Sequence, residues 1–136
     1  MDTTSPTIEC TVAIFEMQDR DAVIARLGEW RLERALERLD AVLGEALLAA
    51  PNGAPLHQID RAAGGVEMVA VLNGPDRREV LGRLQAAVAT FQRETGLRVV
   101  AAWSDDESGR ESLGALFSRA ELALHERRGE ALAAAA

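Results

Sequence analysis

Two adjacent glycines, Gly64-Gly65, run directly into Val66-Glu67-Met68 and the apolar stretch Val69-Ala70-Val71-Leu72. No other stretch restricts the possible folds of this chain as much. Between segments that read as strands, a Gly-Gly pair predicts a tight hairpin, because the favoured two-residue turn needs positive φ at both central positions. Leu56 to Arg61 supplies one arm, and Val66 to Leu72 the other. A hairpin cannot stand alone in water, so the flanking sequence must provide further strands or helices to cover it.

That cover is legible in the periodicities. From Ile8 to Met17 the chain alternates, with Ile8, Cys10, Val12 and Ile14 on one face and Ala13, Phe15 and Met17 on the other. Apolar residues on both faces predict an interior strand. Asp19 or Asp21 can cap a short helix that Gly28 stops after Leu27. A longer helix follows, in which Trp30, Leu32, Ala35, Leu36, Leu39, Val42, Leu43, Ala46 and Leu47 recur at helical spacing. Pro51-Asn52-Gly53 closes it.

After the hairpin, Asp76 is placed to cap a helix whose stripe is Val80, Leu81, Leu84, Ala87, Val88 and Phe91, with Gly96 at its end. Leu97 to Trp103 predicts a further buried strand and Ser104 to Gly109 an acidic loop. A last helix over Glu111 to Gly129 turns Leu113, Leu116, Phe117, Ala120, Ala123 and Leu124 inward. The expected organisation is a lead-in over residues 1–7, one domain over 8–129 and an alanine-rich tail over 130–136. The element order predicts an α+β fold with a ferredoxin-like β-α-β-β-α-β core, a central antiparallel sheet flanked by helices.

Composition narrows the function. The formal net charge of -7 repels phosphate backbones and anionic lipid, so neither nucleic acid nor a membrane surface is an expected partner. Cys10 is the only cysteine, which fits a reduced, cytoplasmic setting and no internal disulfide. His57 and His125 are isolated, and no pattern at metal-ligand spacing includes Cys10, so zinc is not expected.

Gly64-Gly65-Val66-Glu67-Met68 resembles a degenerate copy of the GGDEF signature of diguanylate cyclases, whose fold is of the nucleotidyl cyclase type. That family's first strand ends in an Asp-x-Asp-x-Phe-Lys-x-x-Asn-Asp-x-x-Gly-His stretch. Anchoring its Gly on Gly28 places the first Asp on Glu16, the second on Gln18 and the guanine-reading Asn on Ile24. The other guanine-contacting acid falls on Glu33. Ala120 to Arg128 is similar to the family's closing Ala-Asp-x-Ala-Leu-Tyr-x-Ala-Lys, with His125 for the Tyr and Arg128 for the Lys. The resemblance spans about Ile8 to Gly129.

An active member of that family binds GTP with Mg²⁺, and two protomers face each other to make cyclic di-GMP. The metal needs carboxylates converging from the first strand and the hairpin. The third signature position here is Val66, which has no lone pair to offer. Loss of a positioned acid or base costs on the order of 10²–10⁴ in rate. Glu16 and Glu67 stay acidic and, with the Met17 carbonyl, could hold one divalent ion; alternatively they are solvated strand-end acids. Ile24 leaves a guanine edge unpaired, at about 1–3 kcal/mol.

Two readings stand for Glu33, a contact to guanine or an ion pair with a nearby Arg, and two for Arg128, a phosphate contact or a helix-end cation. The family's Arg-x-x-Asp inhibition motif falls on Pro55 and Gln58 and is absent, and no closing Gly-Arg-Asn strand follows Gly129.

The resemblance therefore implies a degenerate domain with no catalytic residues expected at Gly64, Gly65, Val66, Glu67 and Met68. If a nucleotide still binds, Ile24, Glu33, Gly64, Gly65 and Arg128 are its expected contacts; if Mg²⁺ does, Glu16, Met17 and Glu67. Otherwise no cofactor is expected. The expected role is regulatory, through a protein partner, self-association or GTP sensing, with a weakly active cyclase as the alternative.

Overall fold

In a computed structural model of the chain, residues 9–49, 57–62, 65–106 and 108–135 are described, with the side chains of 131–135 excepted. Among them, β1 (Cys10–Met17), β2 (His57–Arg61), β3 (Glu67–Asn73) and β4 (Val99–Asp106) form one sheet in the order β2-β3-β1-β4. Every neighbouring pair is antiparallel. The helices are α1 (Arg20–Leu27), α2 (Glu29–Leu48), α3 (Arg77–Thr95) and α4 (Leu113–Ala135). This is the β-α-β-β-α-β arrangement that the element order predicts, with α1 and α2 together in the first crossover.

β1 is the central strand that its two apolar faces require. Ala13, Phe15 and Met17 join Met68, Ala70 and Leu72 of β3 under α2 and α3, in a core that includes Leu36, Leu39, Leu43, Leu84 and Phe91. Val12 and Ile14 face the other way, onto Leu116, Ala120 and Leu124 of α4. Each such side chain contributes about 1.5–3 kcal/mol by leaving water, so the leucine stripe of α2 alone is a large part of the fold's stability. Cys10 is half-buried, with its thiol pushed up by burial first and by Asp106 second. This is how a packing residue behaves, not a reactive thiol.

Helix ends differ from expectation. Trp30 is 71% exposed and Leu113 54%, so neither joins the core, although both fit the helical spacing. Each lies in the first turn of its helix. Asp19 and Asp76 stand at the N-cap positions of α1 and α3, but neither side chain makes a capping hydrogen bond. Asp19 accepts from Arg98 Nε at 3.1 Å, and Asp76 lies 3.5 Å from Nε2 of the buried His57.

The acidic segment after Trp103 also differs. Ser104 to Asp106 continue β4, and Asp106 is buried. Its carboxylate accepts from the main-chain N–H groups of Ser108, Gly109 and Glu111 and from the Ser108 hydroxyl, so the loop that follows satisfies it. Ile8, Pro51-Asn52-Gly53, Leu56 and Gly64 lie outside the described residues.

Candidate functional site

β1 ends where the hairpin turns, and the antiparallel register sets Glu16 directly across from Glu67. Main-chain bonds fix this corner: Met17 N donates to Val66 O at 3.0 Å, and Gln18 N to Arg98 O at 2.8 Å. Met17 takes part through its main chain, because its side chain is core. The turn itself corrects the simplest expectation. Gly65 N donates to Ala62 O at 3.0 Å and Ala62 N to Glu67 O at 2.9 Å, so the arms close at Ala62 and Glu67, with a hydrogen-bonded turn from Ala62 to Gly65 inside them. Gly65 closes it, and its φ is not in the left-handed region. A glycine closing a turn at its fourth position is common and needs no positive φ.

The carboxylates at this corner are crowded. Glu16 keeps only 12% of its side chain exposed. Gln18 Nε2 donates to Glu16 Oε1 at 2.9 Å and to Glu16 O at 3.0 Å, while Arg128 Nε approaches the same Oε1 at 3.4 Å. The Glu67 carboxyl is held above the ordinary glutamate range, first by desolvation, then by the charge of Glu16 and a shared hydrogen bond, with Glu121 adding to it. Among the described residues, no group of three or more His, Cys, Asp or Glu side chains converges as a metal-binding set. Val66, at the third signature position, packs against the main core, as Ile24 does.

Beside this corner lies a cleft of about 410 Å³ whose lining includes Ile24, Trp30, Glu33, Arg61, Gly65 and Val66. Three of the expected nucleotide contacts, Ile24, Glu33 and Gly65, thus meet in one place. Arg128 does not line that cleft; it sits with Glu16. Glu33 is held by Arg61 through both oxygens, with Nη2 to Oε1 at 3.0 Å and Nη1 to Oε2. That hydrogen-bonded pairing holds the Glu33 carboxyl below its usual range.

Arg61 also donates from Nε and Nη2 to Gly65 O, each at 3.2 Å, tying α2 to the turn. Sequence reasoning gives Arg61 no role and reads Gln18 only as the residue at the family's second Asp position. An Arg on the hairpin arm just before the glycines, facing an acid on the preceding helix, is the signal that would have pointed to Arg61.

No family model matches the sequence, and no curated protein matches it. Solved structures do. The chain is similar to the diguanylate cyclase SiaD from Pseudomonas aeruginosa, solved in complex with its activator SiaC, with a TM-score of 0.72 and 18% identity over 90% of this chain. The fold is that of a GGDEF domain. The active GGEEF domain of a diguanylate cyclase from Vibrio cholerae gives a TM-score of 0.71 at 14% identity, over 90% of this chain and 78% of that one. A sensory box/GGDEF family protein from Caulobacter crescentus gives 0.69 at 20% identity, over 90% and 80%. The GGDEF-like chain spans 47% of the SiaD chain, about half its length.

Proposed function

We propose that this GGDEF-like domain is a non-catalytic module of bacterial cyclic di-GMP signalling, acting through a protein partner or a second copy of itself. One observation carries the reading: the corner that needs metal-binding carboxylates is neutralised from within. Val66 has turned an oxygen-donor position into core packing, and Glu16 already has Gln18 and Arg128 as partners. The donor set does not fit a divalent ion, which wants several converging oxygens free of other charges. The Glu67 carboxyl is held above its usual range by desolvation and by Glu16, so the corner resists a second negative charge unless a cation is supplied. Neither a metal nor another cofactor belongs to this proposal.

The cleft gives a second reading, a GTP sensor without turnover, because its size suits a small ligand and Ile24, Glu33 and Gly65 line it. Against it, Glu33 must leave Arg61 before it can receive a guanine edge, and Ile24 offers that edge nothing. The partner reading is favoured. It is supported by SiaD, which was solved in complex with its activator. A cytoplasmic setting is part of the proposal; among the described residues no helix is long and apolar enough to cross a membrane.

A thermal-shift titration with GTP, with and without Mg²⁺, together with an assay for cyclic di-GMP, separates these readings. A ligand at 100 times its dissociation constant adds ~2.7 kcal/mol of stability. The partner module gives no shift and no product. A shift without product moves the assignment to the sensor, and product formed at a steady rate establishes a weak cyclase.

A further inference from the structure

Glu16 and Glu67 occupy paired positions on adjacent strands, and like charges placed so repel unless a counter-ion is supplied. Among the described residues, the cation with its charge on this pair is Arg128, which reaches in from the far part of α4. Its contact is unusual for arginine. The guanidinium normally meets a carboxylate through a fork of two directed bonds. Here Nε lies 3.4 Å from Glu16 Oε1, is buried, and makes no hydrogen bond. The group neutralises by proximity, as a spherical ion would. Gln18 completes the enclosure by donating its amide to the same oxygen.

We propose that Arg128 is a built-in cation standing in the place of a divalent ion between Glu16 and Glu67, closing the pair to metal and latching α4 onto the β1–β3 corner. The inference rests on the reading that the pair holds no metal in the native chain, and it goes beyond that reading by making metal refusal the work of one side chain. A divalent ion can enter only by displacing the guanidinium from Glu16. Removing the guanidinium leaves two carboxylates without a counter-charge. The Gln18 amide can then turn its oxygen inward, because Asn and Gln amides follow their hydrogen-bond partners. Three oxygens facing one point form a minimal set for a hard cation, with water completing the shell.

The test counts Mn²⁺ bound to the full chain by electron paramagnetic resonance, for wild type, Glu16→Gln, Arg128→Met, Arg128→Lys and Arg128→Met with Glu16→Gln. Wild type and Arg128→Lys are expected to leave Mn²⁺ free. Arg128→Met is expected to bind one ion on the order of tenfold more tightly or better, and the added Glu16→Gln to abolish that gain. Wild type binding one Mn²⁺ in a manner lost in Glu16→Gln overturns the proposal, as does a folded Arg128→Met that binds no more than wild type.

If Arg128→Met does not fold, Arg128→Met with Glu67→Gln decides. Recovery of cooperative unfolding supports charge compensation, and failure to recover assigns Arg128 a packing role and overturns the proposal. Turnover of GTP is not read here, so the nucleotide assay and the Mn²⁺ count fail independently.

Discussion

The two ends of the sheet treat their acids in opposite ways. At the hairpin end, desolvation and the neighbouring Glu16 hold the Glu67 carboxyl above its ordinary range. At the other end burial also pushes Asp106 up, but the Ser108 hydroxyl and the N–H groups of Glu111 and Gly109 outweigh it and bring the carboxyl below its ordinary range. An acid set in place for folding arrives with its donors; an acid set against another acid does not help the chain fold. Local conflict of this kind marks positions kept for something other than stability. The hairpin end therefore carries a local electrostatic conflict, while the Asp106 end is a structural joint.

Asp106→Ala tests the joint and has the largest expected effect. It strips the acceptor from three main-chain donors and one hydroxyl where β4 hands over to the loop before α4. The expected fall in melting temperature is on the order of 5 °C or more. The sign with pH follows from the direction of the shift. A carboxyl depressed in the fold stabilises above its unfolded pKa, and that share is lost as pH falls through the folded value. Thermal unfolding scans from about pH 7 down to about pH 3 should therefore show the gap between variant and wild type narrowing with acid. Equal melting temperatures at pH 7 would erase the contrast between the two ends.

Glu67→Gln tests the opposite prediction and is expected to stabilise. A carboxyl raised in the fold carries no penalty while both states are protonated; the penalty grows as pH rises from the unfolded value to the folded one and is constant above it. Removing the charge should gain a few tenths to about 1 kcal/mol at pH 7 after allowance for screening at a part-exposed site. The gain should vanish in acid. Chemical denaturation at both pH values measures it, and a loss of stability at pH 7 would mean that the fold needs this carboxylate.

Much of the architecture was legible, because a two-faced β1 and the leucine stripe of α2 admit few partners. The hairpin placed β3 beside its predecessor, and the register then brought Glu16 to Glu67. What escaped had definite causes. Periodicity reports which face a residue occupies but not whether the core extends that far, so Trp30 and Leu113 fit the inward stripe yet stay exposed. Acidic composition reads as loop, yet Asp106 ends a strand because the following main chain supplies its donors. The pairing of Arg61 with Glu33 joins residues on β2 and α2, and no local pattern encodes a contact that only tertiary packing creates.

Trp30→Ala has the smallest expected effect on folding and the greatest bearing on role. The indole is 71% exposed and lines the cleft, with the Arg34 guanidinium 5.5 Å from its ring centre. Trp103 makes a closer pair with Arg127, at 4.8 Å, but packs against the main core. An aromatic side chain that the core does not hold should change stability by no more than about 0.5 kcal/mol when removed, as surface substitutions usually do. If the hairpin end is reserved for a partner, this Trp is a fitting anchor, since buried Trp and Arg dominate binding energy at interfaces. The variant should then unfold like wild type and lose self-association in sedimentation, or lose a partner recovered with the wild-type chain. A marked fall in melting temperature would instead make Trp30 part of the scaffold, and the hairpin end would no longer be the region whose residues fold the chain least.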